Sequence, residues 1–334
     1  MPRLRRTSPD DPGWTRRRAG KGFVYLDESG KPLSARRAQR VKDLVIPPAW
    51  QDVWITPYEN GHLQAVGSDE AGRRQYIYHP EWRTRRDAAK HDRVLQFGRA
   101  LSRARERVLT DLGTDGMSLE RACAVAVRLL DLGYFRIGND VYADKHGSFG
   151  LTTLERQHVR KQGKVLVFCF VGKSGVEHRV EIDDSATVAA LETMRRRRGG
   201  EDRLLAWKDG RTWRSLDSAR VNDYVRDTTG LDATAKDFRT WHATVLAAAA
   251  LAETDEPGET KASRKRAISG AMKEVAEFLG NTPTQARTSY VDPRVIDAYE
   301  EGRTIGHAVR RRAGSADERQ AILERAVLRL LSEA

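Results

Sequence analysis

Two side-chain periods divide this chain, and that division limits what it can fold into. Between residues 22 and 82 the apolar residues come in short alternating runs. GFVYLD precedes ESGKP, VWITPY and HLQAVG flank Asn60–Gly61, and RRQYIYH follows DEAG. Runs of this kind, bounded by Gly, Pro, Asn and Asp, predict strands joined by hairpins. A short helix from Ser34 to about Val45 interrupts them and stops before Pro47–Pro48, because proline cannot continue a helix. From about residue 90 the period becomes helical. HDRVLQFGRALSRARERVL and SLERACAVAVRLLDLG carry apolar residues at helical spacing. Thr234 and Asp237 form a capping-box pattern ahead of FRTWHATVLAAAALAE. A further helix runs from about Ser263 to Gly280, and a last one follows Ser315–Glu318. Residues 164–182, KVLVFCFVGKSGVEHRVEI, are the exception and read as two strands around a tight turn.

The expected class is α+β: a small β-rich N-terminal domain plus a larger, mainly α-helical domain with a β-hairpin. At 334 residues the chain can hold more than one domain and bury a sizeable core. The expected divisions are a flexible basic arm over residues 1–20, the β-rich domain over 21–88 and the helical domain over 89–334. The hinge is expected near residues 83–90, and TDEPGETKASRK (254–265) is the most linker-like stretch of the second half.

Charge and cysteine use narrow the partners. Lys plus Arg total 59 against 47 Asp plus Glu, a net charge of +12. Residues 1–90 hold 18 basic and 11 acidic residues, so that segment alone carries +7. Such asymmetry points to a polyanion, nucleic acid before membrane, with a merely charged surface as the plainer reading. Cys123 and Cys169 sit in the apolar runs ACAVAV and LVFCFV, where buried thiols are expected rather than a disulfide or metal pair. This fits a reducing cytoplasm. No apolar run reaches the roughly eighteen residues of a membrane span, and MPRLRRTSPDDPGWTRRRAGK lacks the apolar core of a secretory signal.

Four positions bear on chemistry. GKSG (172–175) fails as a P-loop, because position 167 is Val where the motif needs Gly and VEHRVEI after it is strand-like. What remains is Lys173 at a hairpin tip, either a solvated turn lysine or an ammonium pushed into a groove. Arg239, in KDFRTWHA, stands near a helix N-terminus, where it and the backbone N–H groups can grip one phosphate; otherwise it is a surface arginine. Arg136, between Phe135 and Ile137 in GYFRIGND, is awkward to leave in solvent and calls for a carboxylate or phosphate. Tyr290, in TPTQARTSYVDP, falls at a break between two helix starts. Alone it reads as a packing residue, since a phenol with a pKa near 10 is a poor nucleophile. Beside cations it becomes a plausible one. No HExxH, cysteine pair or DxD-type cluster offers a metal site. His242 and His307 stand singly and read as structural or surface residues, and the RRRR run at 195–198 as a solvated basic loop.

FRIGNDVYADKHGSFGLTTL, the hairpin FVGKSG, KDFRTWHA and LGNTPTQARTSYVDP, in that order, resemble the catalytic domain of type IB DNA topoisomerases, notably the compact poxvirus-like group found in bacteria. DLVIPPAWQDVWI and GRRQYIYH resemble that group's β-rich DNA-clamping domain. The resemblance covers nearly the whole chain and implies the fold shared by topoisomerase IB and tyrosine recombinases. It implies Tyr290 as the nucleophile that takes the 3′-phosphate, Arg136 and Arg239 as holders of the scissile phosphate, and Lys173 as the acid that protonates the leaving 5′-oxygen. It further implies DNA contacts at Lys236, Tyr142, Gln75, Tyr76 and Tyr78. The viral pattern carries His where this chain has Asn281, nine residues before Tyr290; an amide can donate a hydrogen bond there but carries no charge. The alternative for Asn281 is a helix cap that tolerates a left-handed backbone.

The implied activity is relaxation of supercoiled double-stranded DNA by transient single-strand cleavage, rotation and religation, without ATP, metal or other cofactor. The implied enzyme is a monomer in the cytoplasm, associated with the nucleoid. Two alternatives stand beside it. A tyrosine site-specific recombinase usually carries an HxxR box, where this chain has Lys236, and a helical N-terminal domain. The other is a non-catalytic DNA-binding protein.

Overall fold

The computed structural model describes residues 3–132, 135–138, 147–254 and 260–333. They form two compact units that divide after His91. In the first, Trp14–Ala19 (β1), Gly22–Leu26 (β2), Gln51–Ile55 (β3), Leu63–Ser68 (β4) and Arg74–Tyr78 (β5) make one antiparallel sheet. Its order is β2-β1-β3-β4-β5, with Ala35–Asp43 (α1) between β2 and β3. Trp14, Val41, Ile46, Val53, Ile55 and Ala65 form its core. The Arg40 guanidinium ties α1 to the β3–β4 loop, donating to the carbonyls of Thr56, Pro57 and Tyr58 and to Gln64 Oε1, each at 3.0 Å.

Two expectations for this region need correction. The arm over residues 1–20 is largely incorporated: Trp14–Ala19 is a sheet strand, and Arg5 N donates to Asn60 O at 2.9 Å. Three consecutive arginines hide the strand alternation, yet Trp14 is 3% exposed and Arg16 donates to the carbonyls of Ile46, Pro47 and Trp50. The expected hinge at 83–90 lies inside a helix, Pro80–Leu112 (α2). Pro80 occupies its first position, where no backbone donor is needed, and neither Gly nor Pro follows before Gly98.

The second unit has its own core. Its helices among the described residues are Leu119–Asp131 (α3), Ser185–Arg196 (α4), Ser218–Thr229 (α5), Ala235–Glu253 (α6), Lys261–Leu279 (α7), Pro283–Ser289 (α8), Pro293–Glu300 (α9), Gly306–Val309 (α10) and Ala316–Ser332 (α11). Val159–Gln162 (β6), Val165–Val171 (β7) and Glu177–Ile182 (β8) form a three-stranded sheet, and Ala206–Asp209 (β9) pairs with Thr212–Ser215 (β10). The alanine-rich α6 runs through the middle, contacting α3, α7, α9, α10 and α11. Its small side chains let neighbours approach from several sides, and Phe238, Trp241, Val245 and Leu251 fill the gaps. The capping box at Thr234 and Asp237 forms as the sequence predicts, and Ser315 accepts from Glu318 N to start α11.

Cys169 and the basic run depart from expectation, while Cys123, His242 and His307 do not. Cys123 is buried, and burial pushes its thiol up to about 12, but Cys169 points outward on β7. The strand alternation decides this inside an apolar run. The basic run is not a solvated loop. Arg195 and Arg196 close α4 and pair with Glu192, while Arg197 is 7% exposed and donates to the carbonyls of Met194, Leu204, Glu201 and Arg203. His242 is buried and His307 is exposed. Among the described residues no helix is long and apolar enough to cross a membrane.

Candidate active site

The site is organised around the C-terminus of α7. Gly280 adopts φ 60 and ends the helix in a left-handed turn. Gly280 N donates to Glu277 O at 3.1 Å and Asn281 N to Ala276 O at 2.9 Å, the paired closure of a Schellman motif. The left-handed residue is thus Gly280, and Asn281 is free of that backbone demand. The carbonyls of Leu279 and Gly280 are left over, at the negative end of the helix dipole. Both arginines bind there. Arg136 Nη2 donates to Leu279 O and Gly280 O, each at 3.1 Å, and Arg239 Nη2 donates to Leu279 O at 2.6 Å.

Each arginine is fixed from behind. Arg136 follows Phe135, which is 1% exposed and packs on Phe168 and Phe170 with ring centroids 5.0 and 5.9 Å away. Its own carbonyl accepts from Leu151 N at 2.7 Å. Arg239 belongs to α6, between the buried Phe238 and Thr240, and is 7% exposed. Burial, and then Arg136, lower its pKa to about 10, so it remains a cation at neutral pH.

Asn281 Oδ1 accepts from Arg136 Nη2 at 2.9 Å. Its Nδ2 and the Nε of Arg239 are buried without a hydrogen-bond partner among the described residues. Unused buried donors are rare in folded proteins. One on the Arg239 guanidinium and one on an amide held by the Arg136 guanidinium can donate to an oxyanion.

Tyr290 terminates α8, and Asp292 caps α9 two residues later. The break between them is pinned by Thr244 of α6, whose hydroxyl accepts from Asp292 N at 3.1 Å and lies 3.3 Å from Tyr290 O, its proton facing that carbonyl and the nearer Thr240 O at 2.9 Å. This holds the tyrosine next to α6, with Arg239 Cζ 5.7 Å from its ring centroid. The side chain is buried. Burial acts to raise its pKa, but Arg239, Arg136 and Lys236 outweigh it and hold the phenol below its ordinary value. Lys236, exposed in the first turn of α6, contributes through charge.

Lys173 is exposed at the turn Lys173–Gly175 between β7 and β8. With Arg136, Lys273, Asn281 and Gln285 it lines a cleft of about 540 Å³. The structure therefore gathers Arg136, Lys173, Arg239, Asn281 and Tyr290 with Lys236 in one region. Tyr142 lies outside the described residues. Gln75, Tyr76 and Tyr78 belong to the first unit, on β5. There Tyr76 is 47% exposed and lies 6.1 Å from Tyr78, the two rings nearly parallel at 18°. Gln75 Nε2 donates to Asp69 Oδ2 at 2.9 Å.

Two further residues of this region, Thr244 and His178, belong to none of the motifs in the chain. A mid-helix threonine carries no signal of its own. His178 stands opposite Phe170 across the β7–β8 ladder, and the period-two pattern of VEHRVEI puts it on the face of Val180 and Ile182.

Comparison with known proteins identifies the family. The family model of the eukaryotic DNA topoisomerase I catalytic core matches residues 79–308, and that of the bacterial DNA topoisomerase IB N-terminal domain matches residues 22–69. The chain is 27% identical over 297 residues to DNA topoisomerase 1B of Acanthamoeba polyphaga mimivirus, covering 86% of this chain and 88% of the relative. It is 22% identical over 237 residues to DNA topoisomerase 1B of Vaccinia virus (strain Copenhagen), covering 71% and 72%. The catalytic-core match spans more than half of the chain, and the chain therefore belongs to the type IB DNA topoisomerase family.

Proposed function

We propose that the protein relaxes supercoiled duplex DNA by cutting one strand, holding its 3′-phosphate on Tyr290, letting the downstream duplex rotate and rejoining the strand, without ATP or metal. One observation carries this reading. A buried phenol sits beside two guanidiniums clamped on the end of α7, where Arg239 Nε and Asn281 Nδ2 have no partner among the described residues.

The Tyr290 oxygen attacks phosphorus and its proton passes to water. The P–O5′ bond breaks and the 5′-oxygen takes a proton from the Lys173 ammonium. Arg136, Arg239 and the Asn281 amide donate to the non-bridging oxygens as charge builds on them, in a place already desolvated and preorganised. Religation reverses each transfer. One phosphodiester replaces another, so no nucleotide energy is needed. Lys236 and Tyr142 contact the DNA around the cut, and the basic first unit contacts it through Gln75, Tyr76 and Tyr78. The enzyme acts as a monomer on nucleoid DNA.

The test is relaxation of a supercoiled plasmid lacking any special site, in EDTA and without ATP. Tyr290→Phe removes one oxygen, so DNA affinity is expected to persist while relaxation and the SDS-resistant covalent adduct both vanish. Residual adduct in that variant overturns the assignment of Tyr290. Activity confined to particular sites would favour the recombinase reading instead.

A further inference from the structure

The ring of His178 occupies the seam between the two halves of the site. It stacks on Phe170 with centroids 5.1 Å apart and planes 21° from parallel. It also fills the space over two glycines. A Cβ on Gly172 would lie 2.6 Å from the ring's Cδ2 and Nε2, and one on Gly280 would lie 3.5 Å from its Cε1. Gly172 directly precedes Lys173, and Gly280 directly precedes Asn281. Gly280 has a backbone reason to be glycine, its φ of 60. Gly172 has none, being extended at φ −94 and ψ −165, so what it supplies is room for the imidazole. Burial, and then Arg136 and Arg239, hold that imidazole below its ordinary pKa, so the ring adds no charge beside the two guanidiniums at neutral pH.

We infer that His178 is a positioning residue for strand cleavage, a flat wedge that fixes the Lys173 hairpin against the Gly280–Asn281 end of α7. The Lys173 side chain is exposed at the tip, so its aim at the leaving oxygen follows the position of the hairpin. The arginines are fixed to α7 instead. Registering hairpin to helix is what brings proton donor and phosphate clamp into one geometry. This inference rests on the reading of Lys173 as the proton donor.

The test measures single-turnover cleavage of two duplexes, one with the ordinary phosphodiester and one with sulfur as the bridging 5′ atom, which leaves without a proton. Lys173→Ala sets the scale, slow on oxygen and restored on sulfur. His178→Ala is expected to slow the oxygen substrate by on the order of 10²-fold, the cost of a displaced reacting group, and to be restored on sulfur in the same way. His178→Phe keeps a flat ring on Phe170 and recovers most of the loss. Gly172→Ala sets a methyl against the ring and reproduces the defect in a chain that keeps His178. Equal slowing of Lys173→Ala on both substrates overturns the proton-donor reading, and this inference with it. Sulfur rescue of Lys173→Ala without sulfur rescue of His178→Ala and Gly172→Ala overturns the wedge alone. So does a His178→Phe variant as slow as His178→Ala.

Discussion

Gly98 in α2 and Gly270 in α7 are both interior helical glycines, and replacing each with alanine is expected to move stability in opposite directions. In an open helix the change is worth about 1 kcal/mol in favour of alanine. A Cβ on Gly270 meets nothing within 4 Å, so Gly270→Ala keeps that gain. A Cβ on Gly98 would lie 2.6, 2.7 and 2.8 Å from Cη2, Cζ2 and Cζ3 of Trp241. That indole is fully buried, with Nε1 bonded to Glu324 Oε1 at 3.1 Å, so it cannot swing aside. Overpacking of this kind costs roughly 1–3 kcal/mol, and moving the ring puts at risk a hydrogen bond worth about 1 kcal/mol more. The net for Gly98→Ala is a loss of roughly 1–3 kcal/mol once the propensity gain is subtracted. At about 2–4 °C per kcal/mol for a domain of this size, its Tm falls by roughly 2–12 °C while that of Gly270→Ala rises by about 2–4 °C. Thermal unfolding of the two variants, alone and with Trp241→Phe, checks the reasoning. The smaller ring removes the clash, so Gly98→Ala should become harmless in that background. A Gly98→Ala chain as stable as Gly270→Ala, or one still destabilised in the Trp241→Phe background, refutes it.

Asn281→Ala is expected to slow cleavage and religation by on the order of 10²-fold, the usual cost of one preorganised donor, with DNA affinity and Tm nearly unchanged; a normal rate defeats the catalytic role. Asn281→His keeps a donor in place and should remain active. His242 is held below its ordinary pKa by burial, against the opposing pull of Asp131 and Glu324. Its contribution is therefore complete above the unfolded value of about 6.5 and is lost as pH falls toward the folded one. His242→Gln should lower stability at pH 7.5 and flatten its decline toward pH 5.5, and equal slopes in urea titrations would contradict this. Tyr76→Ala should weaken duplex binding about five-fold, the worth of a hydrogen bond of about 1 kcal/mol. The dependence of log K on log salt should not change, because no charge is removed; an altered slope or an unchanged Kd would exclude the contact.

What depends on near neighbours was legible in the chain itself. Alternation marked β2 to β5, helical period and capping residues marked α6, α7 and α11, and the turn at Gly172–Gly175 set Lys173 at a hairpin tip. The ordered motifs around Arg136, Lys173, Arg239 and Tyr290 marked the family, because each motif is a short run of adjacent residues. The rest came from packing. Three arginines disguised β1, Cys169 and Arg197 took the faces that their packing required, and the expected hinge became helix α2. The two guanidiniums meet only because Arg136 and Arg239 reach the same end of α7, across 143 and 40 residues of chain. Thr244 sets the tyrosine beside them from 46 residues away. Local periodicity reports which face of an element is apolar. Which polar groups meet across the fold, and so which phenol lies among cations, depends on packing between elements that no short window of sequence contains.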